Sequence, residues 1–131
     1  YWYTFKDFIN RDIDYSSNKV TGVPTHTVIS EIRFERNEFI AKIAFRNIGR
    51  IPIDDSNSIF TENYSLFNLK ISKAFNFGKT NLGVLIGTDN IFNVKYASGV
   101  VINARGFGGR DPRYYYPGLP RNYFISVSLS L

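Results

Sequence analysis

The chain has 131 residues, a length that predicts one domain with a hydrophobic core, a formal net charge of +5 and an aromatic content of 17%. The absence of cysteine excludes disulfides and thiolate metal sites, and the absence of an apolar run of about 18 residues excludes a transmembrane helix, though not a transmembrane strand. The basic residues are scattered without a Lys/Arg run, so the positive charge does not predict a nucleic-acid partner.

Six segments predict β-strands because apolar and polar residues alternate along them, which places successive side chains on opposite faces. Five of these segments have 9 to 11 residues and segment 64–77 has 14, so each is near the length of roughly 9 to 11 residues that a tilted strand needs to cross a bilayer. The chain begins without methionine, so we expect it to be a piece of a longer protein. The predicted strands, in chain order, are 1–9, 25–35, 38–48, 64–77, 82–92 and 121–131.

The connections between these segments alternate in length. Short turns occupy 36–38 and 78–81, whereas long loops occupy 10–24, 49–63 and 93–120. Soluble β-sandwiches and lipocalin-like barrels have no need to sort their loops in this way, but outer-membrane barrels place short turns on the periplasmic side and long loops outside. The alternation therefore favours an outer-membrane barrel, with the C-terminus of the chain in the periplasm.

Alternation gives the predicted strands one apolar and one polar face. Charged side chains project to the polar side of several strands, as a wide hydrated interior predicts. Lys73 interrupts the apolar face of segment 64–77 near a short turn, where it could reach lipid headgroups. In the last segment we expect Asn122, Ser126, Ser128 and Ser130 to face the lumen with Phe124 as an aromatic exception, and Tyr123, Ile125, Val127, Leu129 and Leu131 to face lipid.

Aromatic residues concentrate near the ends of the predicted strands, as interfacial girdles of membrane barrels require. The alternative is that these rings form the core of a soluble β-domain. A soluble lipocalin-like barrel that binds a small ligand therefore stays open, and it predicts a water-soluble monomer. Six strands of a larger barrel should instead aggregate or need detergent. A complete outer-membrane barrel of eight strands would require two strands hidden in the loops.

Four stretches of the sequence resemble the motifs of a protein family: GVPTHTVISEIRF (22–34), SLFNLKISKAFNF (65–77), LGVLIGTDNIFNVKY (82–96) and PGLPRNYFISVSLSL (117–131). In order and spacing they resemble the C-terminal third of TonB-dependent outer-membrane transporters, and the resemblance covers essentially the whole chain. The positions that correspond to the motifs of that family are Pro24, His26, Asp89, Asn90, Phe92, Tyr96, Pro120, Arg121 and Leu131.

The resemblance implies an all-β antiparallel meander that supplies about six C-terminal strands of a 22-stranded transmembrane barrel in the outer membrane of a Gram-negative cell. Residues 1–131 would be the C-terminal part of this barrel, without its plug domain, TonB box or earlier strands. Asn93 stands where the family commonly has Asp. Leu131 stands where the family has a terminal Phe or Trp that the barrel-assembly machinery recognises.

In function, the resemblance implies a receptor that imports a ferric siderophore, a similar iron chelate or cobalamin with energy delivered through TonB. The implied partners are outer-membrane lipid and lipopolysaccharide, the protein's own plug domain, the TonB complex, the barrel-assembly machinery and the small-molecule nutrient. We expect no cofactor, no metal site and no nucleic-acid partner. We also expect no enzyme activity, because no Ser/His/Asp set or paired carboxylate motif is present.

The long loop 93–120 contains the residues that we expect to contact a ligand. Its cationic and aromatic side chains could bind an anionic or aromatic ligand, such as a catecholate or citrate iron chelate. Alternatively, the rings pack the loop on the barrel rim, and the arginines pair with neighbouring acids or with lipopolysaccharide. The candidate ligand contacts are Arg105, Arg110, Arg113, Tyr114, Tyr115 and Tyr116.

Three further features have simpler interpretations. GFGGR (106–110) lacks the spacing of a dinucleotide loop and predicts a flexible loop instead. IDDSN (53–57) could bind Ca²⁺ through Asp54 and Asp55, but it lacks the regular ligand spacing of a dedicated site and predicts a solvated loop tip. His26 is the only histidine, which excludes a histidine metal cluster within this sequence.

Overall fold

The computed structural model describes residues 3–106 and 108–131. The described residues contain β-strands and no helix, and the sheets are antiparallel, which confirms the all-β prediction. No helix in this part of the chain has the length and apolar character needed to span a membrane. The strands are β1 (Ile9–Asn10), β2 (Ile13–Asp14), β3 (Thr27–Arg36), β4 (Phe39–Ile48), β5 (Tyr64–Phe77), β6 (Thr80–Asp89), β7 (Ala97–Val100), β8 (Tyr115–Pro117) and β9 (Asn122–Ser130).

Strands β3, β4, β5, β6 and β9 form one five-stranded sheet in that order. Their alternating sequences predicted all five, and the predicted ends lie within three residues of the observed ones. The largest difference is at β6, which ends at Asp89 rather than at residue 92. The reason is that Asn90 has a φ of 52°, which takes the backbone out of the extended region.

Two-residue turns join β3 to β4 and β5 to β6. Asn37 and Glu38 have φ values of 47° and 61°, the positive pair that a type I′ turn requires. Gly78 has a φ of 66° at the first central position of the second turn, where a type II′ turn favours glycine. Turns of both types follow the right-handed twist of the strands, and they fix the register of the two hairpins.

The predicted strand at 1–9 is wrong for its described residues. Residues 5–8 form no strand, and only Ile9 belongs to the short strand β1. The rings of Phe5 and Phe8 lie 4.7 Å apart, and the φ of 51° at Asp7 bends the chain between them. Side chains three residues apart point to opposite faces of a strand, so this ring contact requires a bent backbone. Residues 1 and 2 of the prediction lie outside the described residues.

Two of the long loops contain short hairpins that the alternation of the sequence did not predict. In loop 93–120, β7 pairs with β8, and Ala97 lies opposite Pro117 and Val100 opposite Tyr115. A register shift between Ala97 and Gly99 interrupts this pairing. In the other loop, 10–24, β2 pairs with β1. Such short strands lack the length over which a period of two becomes visible.

The chain divides into two compact units. The first contains 3–27, 48–64, 95–106 and 108–118, and its most buried side chains include Ile53. The second contains 28–47, 65–94 and 119–131, and it is built around the five-stranded sheet. None of the three sheets closes into a barrel within the described residues.

Candidate functional site

The five-stranded sheet has one apolar face, and this face is exposed. Residues that lie opposite each other in antiparallel strands share a face, so Ile71, Ile86 and Ile125 form one row across β5, β6 and β9. The rings of Phe45 and Phe67, 4.8 Å apart, continue the face onto β4. Its exposed large side chains include Ile32, Phe34, Ile43, Phe75, Phe77, Ile86, Tyr123, Ile125, Val127 and Leu129.

The opposite face of the same sheet is polar. Ser72, Leu85 and Ser126 form a row across β5, β6 and β9 on this side. Toward β3, the Lys42 ammonium lies 3.1 Å from the Glu31 carboxylate, and both side chains are partly exposed. Exposed ion pairs of this kind contribute little to stability. They are compatible with water or another polar surface against this face.

An open cavity of about 340 Å³ lies on the polar face near the short turns. Serine hydroxyls and apolar side chains share its lining, and the cavity is open to solvent, so it is not the enclosed pocket of a typical small-molecule site. The lining residues are Glu38, Ile40, Ser72, Lys73, Ala74, Gly83, Val84, Leu85, Ser126 and Ser128.

The turn between β3 and β4 is tied to β5 by side chains. Lys73 donates from Nζ to the carbonyl oxygen of Asn37 at 2.5 Å, and Asn76 donates from Nδ2 to Oε1 of Glu38 at 2.5 Å. Lys73 is the charged residue that interrupts the apolar face of β5. Its ammonium group therefore bonds to the turn at the end of the sheet instead of crossing the apolar surface.

The candidate ligand contacts lie on and beside the β7–β8 hairpin of the first unit. Tyr115 lies opposite Val100 and is 60% exposed, and Tyr116 lies opposite Gly99 and is 65% exposed. Tyr114 is half-buried, and its carbonyl oxygen accepts a hydrogen bond from the Val101 amide at 2.7 Å. The structure thus brings two exposed rings onto one short hairpin.

The three candidate arginines are exposed, and none forms a salt bridge with a described residue. The pairing with neighbouring acids that the sequence left open is therefore not observed in this part of the chain. An exposed guanidinium has five donors that can bind a carboxylate or phosphate. The residues concerned are Arg105, Arg110 and Arg113.

The motif positions of the first unit lie in structural contacts. The Gly49 amide donates to the carbonyl oxygen of His26 at 2.9 Å, at the end of β4. The ring of Tyr96 lies 4.8 Å from that of Tyr64, and it also covers Gly118, where an added Cβ would collide with it. Pro24 is half-buried. These contacts fix the backbone around the motif positions.

One motif position of the second unit, Asn90, has a buried side chain, which is 3% exposed. Asn90 donates from Nδ2 to the carbonyl oxygens of Val94 at 2.9 Å and Leu119 at 3.1 Å. Its Oδ1 accepts a hydrogen bond from the Val94 backbone amide at 2.8 Å. The backbone amide of Asn90 donates to Oδ1 of Asn68 at 2.9 Å. No local pattern in the sequence singles out Asn68, because its role depends on a partner outside its own strand.

Neighbouring motif positions extend this network. The Arg121 amide donates to Oδ1 of Asn93 at 2.9 Å. Phe92 is exposed, and its ring meets that of Phe67 edge-on at 5.3 Å. The remaining positions are Asp89, which lies opposite Asn122 in the β6–β9 pair, exposed Pro120, and Leu131, which is 93% exposed.

The predicted loop tip at 53–57 is held by hydrogen bonds. The Asp54 carboxylate accepts the hydroxyls of Ser56 and Ser58 and the Ile59 amide. Burial raises the pKa of Asp54, but these hydrogen bonds outweigh it together and hold the pKa below its ordinary value. Among the described residues, no group of three or more His, Cys, Asp or Glu is placed to hold a metal ion.

The five-stranded sheet has one apolar and one polar face, and a surface of this kind can separate an apolar phase from a polar one. The hairpin beside it in sequence offers cations and rings for an anionic or aromatic ligand. In comparisons with known proteins, no family model matches the chain and no curated protein matches it.

Proposed function

We propose that the chain is the C-terminal part of an outer-membrane β-barrel receptor that imports a scarce nutrient, such as a ferric siderophore, another iron chelate or cobalamin, with energy delivered through TonB. The observation that carries this proposal is the five-stranded sheet, whose apolar face is exposed while its opposite face is polar.

The exposed apolar face of the sheet is energetically costly in water. Each square ångström of apolar surface left in water costs about 25 cal/mol. An apolar face that extends over several strands is therefore more stable when another apolar surface shields it from water. Lipid chains cover such a face without any further protein layer. Ile125 and Val127, which are 69% and 63% exposed, would then contact lipid, whereas Ser126 and Ser128 would face the lumen.

The connections and the sheet edges support the same proposal. Both two-residue turns join consecutive strands of the sheet at one end, and the long connections leave from the other. Strands β3 and β9 are edge strands in the described residues, and all ten residues of β3 are exposed. Unpaired edges favour pairing with further strands, as barrel closure requires.

The competing function is that of a soluble lipocalin-like protein. In that case the apolar face would line a ligand cavity, and the charged face with Glu31 and Lys42 would lie in bulk water. The two functions assign the same two faces to opposite environments, so the environment of each face distinguishes them.

The test is cysteine scanning of β9 in the full-length protein, because residues 1–131 contain no cysteine to interfere. Ile125→Cys, Ser126→Cys, Val127→Cys and Ser128→Cys would each carry an environment-sensitive fluorophore in liposomes. We expect a lipid-soluble quencher to act at 125 and 127 and a water-soluble quencher to act at 126 and 128. Equal quenching at all four positions, or a fully water-soluble monomer, would contradict the proposal.

Transport needs a separate measurement. The gene would be deleted in its own organism, and uptake of ferric citrate, a ferric catecholate, a ferric hydroxamate and cobalamin would be compared with and without complementation. We expect loss of uptake for one class of ligand. If all four enter normally while the cysteine pattern alternates, the barrel stands and the assigned nutrient is wrong.

A further inference from the structure

Strands β6 and β9 pair although they are not consecutive in the chain. The two strands are adjacent over nine residue pairs, from Asn81 opposite Ser130 to Asp89 opposite Asn122, yet a long segment separates them in sequence. Closing a long loop costs conformational entropy, which weakens the pairing unless contacts hold the two ends of the loop together.

The Asn90 side chain makes these contacts. Its Nδ2 group donates to the carbonyl oxygen of Val94, where the chain leaves the sheet, and to that of Leu119, where it returns. Its Oδ1 accepts the Val94 amide. Because one side chain bonds to both ends, the two backbones are held within a few ångströms of each other, and the side chain is shielded from water.

We infer that Asn90 fixes both ends of segment 95–118 to the β6–β9 pair, so that this segment can change in length and sequence without loss of the pairing. The inference concerns the sheet alone and does not depend on the proposed transport function. It makes Asn90 a positioning residue.

The structure of the segment agrees with this assignment. The Gly118 amide donates to the carbonyl oxygen of Tyr96 at 2.7 Å, and β7 pairs with β8 beyond it, so the segment has hydrogen bonds of its own. The candidate ligand contacts Arg110 and Arg113 both lie in this segment. Recognition residues can therefore vary there while the sheet keeps its register.

The chemistry of two asparagines provides a sharp test. Asn90 uses its Nδ2 hydrogens as donors, which an aspartate lacks, whereas the bond from the Arg121 amide to Asn93 requires only an acceptor oxygen, which an aspartate keeps. Asn90→Asp should therefore break the junction, and Asn93→Asp should preserve it. Asn90→Gly removes the side chain without straining the φ of 52° and so separates the loss of donors from backbone strain.

The experiment is hydrogen exchange of β6 and β9 in the full-length protein in detergent. We expect exchange to be about tenfold to hundredfold faster in Asn90→Asp and Asn90→Gly, since buried groups lose their partners. Asn93→Asp should exchange as the unchanged protein does. Failure of both Asn90 variants to fold, with normal folding of Asn93→Asp, also supports the inference. Normal exchange in Asn90→Gly, or equal loss in Asn93→Asp, overturns it.

A deletion tests the second half of the inference. Segment 95–118 would be replaced by a short Gly/Ser linker between Val94 and Leu119. We expect exchange in β6 and β9 to stay within about threefold of that in the unchanged protein, because the loop becomes shorter and the Asn90 bonds remain. Loss of protection in both strands would show that the segment itself holds the pairing, and would overturn the inference.

Discussion

The ring of Phe124 on β9 covers Gly87, its direct partner on β6. A side chain at position 87 would collide with this ring, and Lys70 from β5 places its ammonium group 5.8 Å from the ring centroid. The sequence predicts Phe124 as an aromatic exception on the polar side of β9. Within the sheet, the missing side chain of Gly87 provides the space for its ring.

Gly87→Ala should destabilise the sheet by about 1 to 3 kcal/mol, because the added methyl group overlaps the Phe124 ring in a packed site. The measurement is the free energy of unfolding in detergent by denaturant titration. Phe124→Ala removes the obstacle, so the double variant should lose less than the sum of the single variants. Additive losses would mean that the two residues do not interact.

A charge on the apolar face should be far more costly than the same charge on the polar face. Under the proposed function, we expect Ile125→Lys to reduce the free energy of unfolding in lipid by about 2 to 4 kcal/mol, because a lysine inside the bilayer loses its hydration. Ser126→Lys is the matched control on the adjacent residue and should cost about 1 kcal/mol or less. Equal costs at the two positions would contradict the assignment of Ile125 to lipid.

The β3–β4 turn contains a non-glycine residue, Glu38, at a φ of 61°. Glu38→Gly and Glu38→Ala both remove the hydrogen bond from Asn76, but only glycine adopts this φ without strain. Glu38→Gly should therefore be about 1 kcal/mol more stable than Glu38→Ala in thermal unfolding. The same pair at Lys79, whose φ is not positive, should not favour glycine.

The loop that contains Asp54 should weaken in acid. Its folded-state pKa is lowered, so the carboxylate contributes stability that is present above the ordinary value of 3.8 and is lost as the pH falls through the folded-state value. Proteolysis of segment 53–60 should increase between about pH 4 and about pH 2, read with an acid protease. Asp54→Asn should be cut at a rate that varies less with pH, and an identical acid response would exclude this carboxylate as its source.

Two exposed arginines of segment 95–118 provide the test of ligand contact. Under the proposed function, Arg110→Ala and Arg113→Ala should each weaken binding of an anionic iron chelate by about tenfold or more, because each removes a charge-assisted hydrogen bond. Lys79→Ala removes an equal charge at the short-turn end of the sheet and should leave affinity unchanged. Unchanged affinity in both arginine variants would remove them from the binding surface.

The long strands could be predicted from the sequence, and the short ones could not. In β9, serine alternates with large apolar residues over a length that only an extended chain explains, and the register places them as the alternation predicts. At 1–9 the alternation was misleading, because Phe5 and Phe8 pack against each other around a bend at Asp7. Contact between the two rings outweighed the local pattern.

The junction around Asn90 shows a second limit of the sequence. The family motif identified position 90. The hydrogen bonds of the Asn90 side chain, however, depend on the carbonyl oxygens of Val94 and Leu119, and Leu119 is distant in sequence. A hydrogen bond between residues so far apart in sequence cannot be predicted from local periodicity. Tyr115 and Tyr116 could be named from the sequence as candidate ligand contacts, whereas the hairpin that carries them depends on pairing with β7.

The two glycines of β6 on the polar face, Gly83 and Gly87, determine how far the sheet can bend. Glycine within a strand allows a local kink, and missing side chains on one face let the sheet coil toward that face. We therefore expect curvature to concentrate along β6, toward the polar face. In a closed assembly of such strands, this curvature contributes to the radius, and a larger residue at 83 or 87 would widen it.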